Sequence, residues 1–238
     1  MSILLTGGSG SLGTELTKIL ANCNSPSRTQ LDITNKEQVS SFFQNNDIDL
    51  IIHAAALTNI RFCEENRKLT WETNVQGTKN LVEEALKSKN RIKFVYVSTA
   101  CVFDGHAGMY KENDVPYPEN FYALTKLLGE NEVTKLSNFI IIRTNFVAKK
   151  TWPYPKAFTD RFGTYLFAEN VAIGISEILN ENLNGIIHVV GNEKISMYEL
   201  AKITTPDILP MTIKEYDGPT LTMDMSLDSE RWKKYVLK

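Results

Sequence analysis

The sequence predicts an α/β protein: a doubly wound parallel sheet with a small carboxyl-terminal lobe. Two observations carry this prediction. Short apolar runs alternate with amphipathic stretches as far as Arg143, and a glycine-rich segment stands at their first junction. The runs are Ile3-Leu4-Leu5, Leu50-Ile51-Ile52, Phe94-Val95-Tyr96-Val97 and Phe139 to Ile142; continuous hydrophobicity of this kind marks strands buried on both faces. Leu12 to Leu20, Trp71 to Leu86 and Phe121 to Leu136 then read as covering helices. Thr34 with Glu37, and Ser196 with Glu199, have capping-box spacing, which predicts helices starting near Asn35 and Met197.

Beyond Arg143 the alternation weakens. Thr151-Trp152-Pro153-Tyr154-Pro155 reads as a loop suited to substrate specificity. A helix from Ala168 to Leu179, a strand from Ile186 to Val190 and a helix from Met197 to Ile203 suggest the small lobe leaning on the sheet. The 238 residues are read as one domain. Residues 1–148 form mainly its cofactor-binding core and 149–238 mainly its substrate lobe, with a return of late elements to the sheet left open.

Composition excludes several classes of function. A formal charge of −2 and no basic stripe interleaved with aromatics argue against nucleic acid, and the run Glu64 to Lys68 reads as a solvated helical face. No apolar run approaches the roughly eighteen residues of a membrane span, and the opening MSILLTGG lacks signal-peptide layout, so a cytoplasmic protein is expected. Cys23, Cys63 and Cys101 have neither disulfide nor zinc spacing, so no metal is expected. His53 and His188 read as core histidines.

In Thr6-Gly7-Gly8-Ser9-Gly10-Ser11-Leu12-Gly13 the glycines have dinucleotide-loop spacing between a predicted strand and helix, which makes the sheet Rossmann-type. Gly7 permits the turn, Gly10 admits a pyrophosphate to the backbone, and Gly13 lets helix and strand pack closely. Around Asn24 to Arg28 there is no acidic residue to hold an adenosine 2′-hydroxyl. Arg28 with Ser25 or Ser27 suits a 2′-phosphate instead, so NADP(H) is favoured and NAD(H) stays open.

Tyr122 and Lys126 lie one helical turn apart on one face. Ser98-Thr99 ends the run Phe94 to Val97, and the carboxyl ends of parallel strands are where open sheets place ligands. The pattern suits a hydroxyl, Thr99, bonded to a substrate carbonyl, a proton donor, Tyr122, and an ammonium, Lys126, that holds ribose hydroxyls and lowers the tyrosine pKa.

Together these residues resemble the extended short-chain dehydrogenase/reductase family, closest to its dTDP-4-dehydrorhamnose reductase branch. The resemblance also covers Leu31-Asp32-Ile33-Thr34, His53 to Thr58 (read as following a fourth strand), Asn74, Val102-Phe103-Asp104-Gly105, Tyr110-Lys111-Glu112, Asn120 to Lys126 with Gly129-Glu130, and Ile142 to Phe146. It implies Thr99, Tyr122 and Lys126 as the catalytic triad. Gly7, Gly10, Ser11, Leu12, Gly13, Arg28, Asp32, Ile33, Ala54, Ala55, Ala56 and Asn74 are implied around the cofactor, with Tyr122 and Lys126 shared. Val102, Phe103 and Trp152 are expected at the substrate, Trp152 by stacking.

The implied activity is NADPH-dependent reduction of a 4-keto-6-deoxy nucleotide sugar, by a homodimer in one reading. Sugar dehydratases carry an Asp-Glu pair after the catalytic hydroxyl; Ala100-Cys101 stand there, where the reductase branch usually has Asp-Tyr. The segment after Arg143 is also shorter than in that branch. A non-catalytic NADP-binding regulatory subunit and a nucleotide-sugar epimerase remain the alternatives.

Overall fold

The computed structural model describes residues 1–88 and 91–237. Its first half runs β1 (Ile3–Thr6), α1 (Ser11–Ile19), β2 (Cys23–Asn24), α2 (Lys36–Asn45), β3 (Leu50–His53), α3 (Ile60–Glu65), α4 (Arg67–Trp71), a π-helical turn (Glu72–Gln76), α5 (Gly77–Lys87), β4 (Lys93–Val97), α6 (Phe121–Val133) and β5 (Phe139–Thr144). There follow β6 (Phe146–Val147), β7 (Lys156–Phe158), β8 (Phe162–Gly163), β9 (Leu166–Phe167), α7 (Ala168–Leu179), β10 (Gly185–Val189), β11 (Ile195–Ser196), α8 (Met197–Thr204), β12 (Leu209–Met211) and β13 (Asp224–Met225).

The main sheet has the order β10-β5-β4-β3-β1-β2, and every pairing in it is parallel. From β1 the chain goes to β2 on one side and then crosses to β3 on the other. The crevice beyond the carboxyl ends of β1 and β3 is therefore the topological switch point, where such sheets hold ligands.

Successive strand residues face opposite sides of the sheet, so each apolar run serves two cores. Leu5, Ile52, Val95 and Ile142 face one way and pack with Leu12 and Leu16 of α1 and Val171 and Ile175 of α7. Leu4, Ile51, Phe94, Tyr96 and Ile141 face the other and pack with Val39 of α2, Leu81 of α5 and Val133 of α6. The continuous apolar runs are explained by this double covering.

Four sequence expectations change. Among the described residues there is no strand between Asn24 and Leu50, so His53 ends the third strand and not a fourth. Asn35, not Thr34, caps α2: its side chain accepts from Gln38 N, while the Thr34 hydroxyl donates to Asp32. Trp71 to Leu86 is not one helix, because a π-helical turn separates α4 from α5. Finally, only α8 of the three late elements stays in the lobe; β10 is the sixth strand of the main sheet and α7 covers it. The capping box at Ser196 and Glu199 forms as expected.

The lobe is small. β8 lies between β11 and β13, and β7 pairs with β12. The carboxyl-terminal segment then returns to the main sheet along the free side of β10. Glu112 accepts from His188 N, Ser229 Oγ and Glu230 N, Arg231 donates to the carbonyls of Ile186 and Asn184, and Tyr235 N donates to Val190 O.

His53 is buried against the core as expected. Thr78 Oγ1 donates its hydrogen to Asn74 O, so it must accept from His53 Nε2 (2.9 Å), and Nδ1 is left to accept from the Thr6 hydroxyl (2.6 Å). The ring is a neutral imidazole, and burial, aided by the Lys126 charge, drives its pKa down to about 3 from 6.5. The sign follows. Above pH 6.5 both states hold the ring neutral and this stabilisation is complete; as pH falls towards about 3 the unfolded chain takes up the proton and it is lost. Between pH 7 and 5 His53 is expected to account for a loss of about 2 kcal/mol in urea unfolding. His53→Gln should flatten that part of the profile; an equally steep fall in the variant refutes the assignment.

Candidate active site

Sheet topology brings the glycine loop and the β3 carboxyl end together. Gly7 has φ +79°, and a Cβ there would lie 2.6 Å from Ala55 N, so only glycine lets the loop after β1 press against Ala54-Ala55. A Cβ at Gly13 would overlap the Gly7 carbonyl oxygen and the Gly8 backbone. Gly13→Ala is therefore expected to push α1 off the loop and weaken NADP(H) binding more than tenfold, by roughly 1.4 kcal/mol or more, in a fluorescence titration. Unchanged affinity refutes this account of the loop.

α1 begins at Gly10 with no side-chain cap and no acidic residue in its first turn. The amides of Ser11, Leu12 and Gly13 thus stay available at the positive end of the helix. This donor set fits a dinucleotide pyrophosphate.

At the adenosine end the structure is more qualified. Arg28 is exposed and pairs with Asp32 (3.4 Å), whose carboxylate also receives Thr34 N and Thr34 Oγ1. Ser27 Oγ is engaged with Thr29 and Gln30, and Ser25 packs on Gly8. The loop therefore offers both signs of charge. Ile33 packs on Gly77, and its carbonyl accepts from Asn80, which fixes the segment after β2.

The reacting end is built from β4 and α6. Thr99 follows β4 and caps a short 3-10 turn (Ala100–Val102), accepting from Cys101 N at 3.1 Å. Tyr122 and Lys126 lie on α6, where Asn120 caps Ala123 N and Gly129 lets the helix close onto Tyr96. Burial holds the Tyr122 phenol well above its ordinary pKa, and the nearby Thr99 hydroxyl only tempers that rise. Lys126 Nζ donates to Val97 O (2.8 Å) and lies 4.0 Å over the Tyr96 ring. Burial pulls its pKa down to about 7 against the raising influence of Glu130. The expectation that Lys126 lowers the tyrosine pKa is thus not met: the phenol is protonated, a state suited to giving up a proton.

Asn74 is buried on the π-helical turn. Its Oδ1 accepts from Leu57 N (2.8 Å), and its Nδ2 donates to Leu57 O (2.9 Å) and Thr125 Oγ1 (3.0 Å), so both amide hydrogens are committed. It ties the loop after β3 to α6 and is a positioning residue.

Val102 and Phe103, expected at the substrate, are wholly buried. Phe103 stacks on Tyr110 (4.4 Å between centroids), and the Arg143 guanidinium lies over the Phe103 ring, 5.1 Å from its centroid. They support the turn after Thr99 from behind. Trp152 is half-buried, donates from Nε1 to Lys156 O and meets Tyr154 edge to face, so the lobe already uses its ring.

Two features escape a reading by sequence. Glu64, taken for a solvated charge, accepts from Phe121 N (2.7 Å) and thereby holds the first turn of the helix bearing Tyr122. Nothing local signals a contact made across so many residues. Behind Thr99, Arg143 grips Glu130 with two bonds (3.0 and 2.8 Å), and Ser98 Oγ donates to the same carboxylate at 2.5 Å. An arginine inside the apolar run Phe139 to Thr144 is the signal for such a partner, because charges are rarely buried unpaired.

With this geometry in place, the comparison with known proteins is decisive. The family model described as RmlD substrate binding domain matches residues 1–158. The chain belongs to this family. Among RmlD relatives, a dTDP-4-dehydrorhamnose reductase of Aggregatibacter actinomycetemcomitans is 32% identical over 226 residues, covering 84% of this chain and 76% of that protein. The crystal structure of dTDP-4-dehydrorhamnose reductase from Bacillus anthracis in complex with NADP matches with TM-score 0.87 at 25% identity, covering 95% of this chain and 90% of that one. A hypothetical dTDP-4-dehydrorhamnose reductase from Sulfolobus tokodaii matches with TM-score 0.86 at 30% identity, over 97% and 93% of the two chains. The expected resemblance and the Rossmann-type fold are both borne out. Among the described residues no helix is long and apolar enough to cross a membrane.

Proposed function

We propose that this RmlD-family chain is an NADPH-dependent reductase of a 4-keto-6-deoxy nucleotide sugar. The observation that carries the reading is a buried, protonated Tyr122 facing the buried Thr99 at the carboxyl end of β4, in the sheet whose switch point bears an uncapped α1. The NADP-bound relative supports the choice of cofactor.

In this reading the amides of Ser11, Leu12 and Gly13 hold the pyrophosphate. Asp32, Ile33 and Ala54 to Ala56 flank the adenosine, with Arg28 at a 2′-phosphate. Among the described residues Lys126 has one acceptor, Val97 O, and its other hydrogens serve the ribose hydroxyls. When bound, the nicotinamide supplies the hydride. The Thr99 hydroxyl donates to the sugar ketone oxygen, and Tyr122 gives that oxygen its proton as the carbonyl carbon becomes an alcohol carbon. Residues 1–148 serve mainly the cofactor and 149–238 mainly the sugar, apart from α7 and β10.

The same reading makes the protein cytoplasmic and without affinity for nucleic acid. It also makes the protein a homodimer, supported by the exposed apolar side chains Phe62, Leu69 and Leu124 on the adjoining helices α3, α4 and α6. Sedimentation at equilibrium reads the dimer directly.

The decisive assay follows NADPH oxidation with dTDP- and UDP-linked 4-keto-6-deoxy sugars, and turnover is expected. Tight NADP(H) binding with no oxidation of NADPH by any of them sinks the reductase and leaves the regulatory subunit. Sugar interconversion without net cofactor oxidation leaves the epimerase.

A further inference from the structure

Arg161, in the lobe segment just before β8, is buried, yet among the described residues no carboxylate lies within ion-pair distance of it. Its guanidinium donates from Nε to Thr222 O (2.9 Å) and from Nη2 to the thioether of Met225 (3.1 Å). A thioether is a weak acceptor and carries no charge. Asp224 pairs in register with Phe162, the residue after Arg161, but its carboxylate is engaged by Lys194 and Ser226. The other buried guanidinium among the described residues, Arg143, is ion-paired with Glu130 through two bonds, so the contrast is internal to the molecule.

A second observation points the same way. Among the described residues the Tyr165 hydroxyl is buried without a hydrogen-bond partner, and so is Asn145 Nδ2; the Tyr165 ring and Asn145 Nδ2 both lie against Gly163. The charge of Arg161 and the thiol of Cys101 both act on that phenol. Cys101 also bears on Tyr122, and its amide is bonded to Thr99. From Cys101 Sγ it is 3.4 Å to Met225 Sδ, which Arg161 touches. A chain of contacts, Arg161 to Met225, Met225 to Cys101 and Cys101 to Thr99, thus links Arg161 to the reacting hydroxyls.

We propose that Arg161, with the Tyr165 hydroxyl beside it, receives the sugar-linked phosphate of a nucleoside diphosphate sugar. The inference rests on the reductase reading for the sugar's orientation: the ketone at Thr99 and Tyr122 places the anomeric phosphate at the far side of the ring. A buried guanidinium is suited to phosphate because its fork of donors binds the oxygens in pairs and its charge is neutralised on binding. Cys101 stands where the reductase branch usually has a tyrosine, so the turn after Thr99 carries no phenol of its own at that position.

The test uses the full chain with bound NADP(H), and calorimetry with dTDP, UDP and uncharged thymidine. Wild type is expected to bind the diphosphates and not thymidine. Arg161→Met, which keeps the length of the side chain and removes the charge, is expected to weaken dTDP binding by about 30-fold or more. Its KM for the nucleotide sugar should rise in parallel while kcat changes little, because the lost contact is remote from the reacting carbon. The melting temperature of ligand-free Arg161→Met should hold or rise, since an unpaired buried charge has been removed; a purely structural arginine predicts a fall. Tyr165→Phe, a milder change, should weaken dTDP binding about fivefold or more.

Equal dTDP affinity in wild type and Arg161→Met overturns the proposal and leaves the reductase standing. So does turnover of nucleotide-linked and nucleotide-free 4-keto sugars at the same KM. If wild type neither reduces any nucleotide sugar nor binds dTDP, the reductase reading falls, and this inference with it.

Discussion

Tyr122→Phe is expected to lower kcat by about a thousandfold, within the range of 10²–10⁴ that a positioned general acid contributes. The ring is buried in a cluster with Ala100, Cys101 and Phe103, so phenylalanine keeps the packing and removes only the hydroxyl. NADPH affinity and melting temperature should stay close to wild type. A variant that retains turnover within tenfold would show the proton coming from elsewhere, and Tyr122 would lose its role. Because burial raises the phenol's pKa, the wild-type rate should not fall on the alkaline side through loss of the Tyr122 proton near neutrality. Lys126 is different. With its pKa near 7 in the free protein, the alkaline limb of NADPH binding should reflect discharge of its ammonium.

Glu130→Ala is expected to produce the largest loss of stability, about 3–5 kcal/mol, because it strands the Arg143 guanidinium in the core. For a chain of this size that corresponds to a fall of roughly 6–20 °C in Tm. Arg143 Nη1 already lacks a partner, so no other group among the described residues takes over the carboxylate's place. Pairing Glu130→Gln with Arg143→Met should recover a good part of the loss, since it removes both charges at once. If each single variant melts like wild type, the pair contributes nothing and the account fails. The damage should also reach function, because the same carboxylate receives Ser98, next to Thr99, and lies one helical turn from Lys126.

Much of this was legible in the chain itself, for definite reasons. Strands buried on both faces leave unbroken apolar runs, and four of the six strands of the main sheet announce themselves in this way. Tyr122 and Lys126 are legible because one helical turn is a local relation, and Thr99 because it follows a buried strand. The second strand is two residues long, too short for periodicity to register. β10 and α7 have the expected boundaries to within a residue, but which sheet they join depends on contacts with β5 and α1 that no local pattern encodes. The π-helical turn is hidden for the same reason: its Asn74 bonds to Leu57 and Thr125, partners that lie far off in the sequence. Glu64, Arg161 and Tyr165 carry roles that depend entirely on what faces them after folding.

The coverage of β10 has a bearing on how the protein behaves in concentrated solution. A five-residue outer strand with open amides and carbonyls is a template for another chain's strand, the usual start of edge-to-edge aggregation. Here side chains occupy those groups: Glu112 takes the His188 amide, and Arg231 takes the Ile186 carbonyl and that of Asn184 just before the strand. The opposite edge is protected by the brevity of β2. Loss of the final residues, by proteolysis or by an early stop, would therefore leave the catalytic groups of β4 and α6 untouched in sequence while exposing an adhesive border, and the harm would appear first as lost solubility.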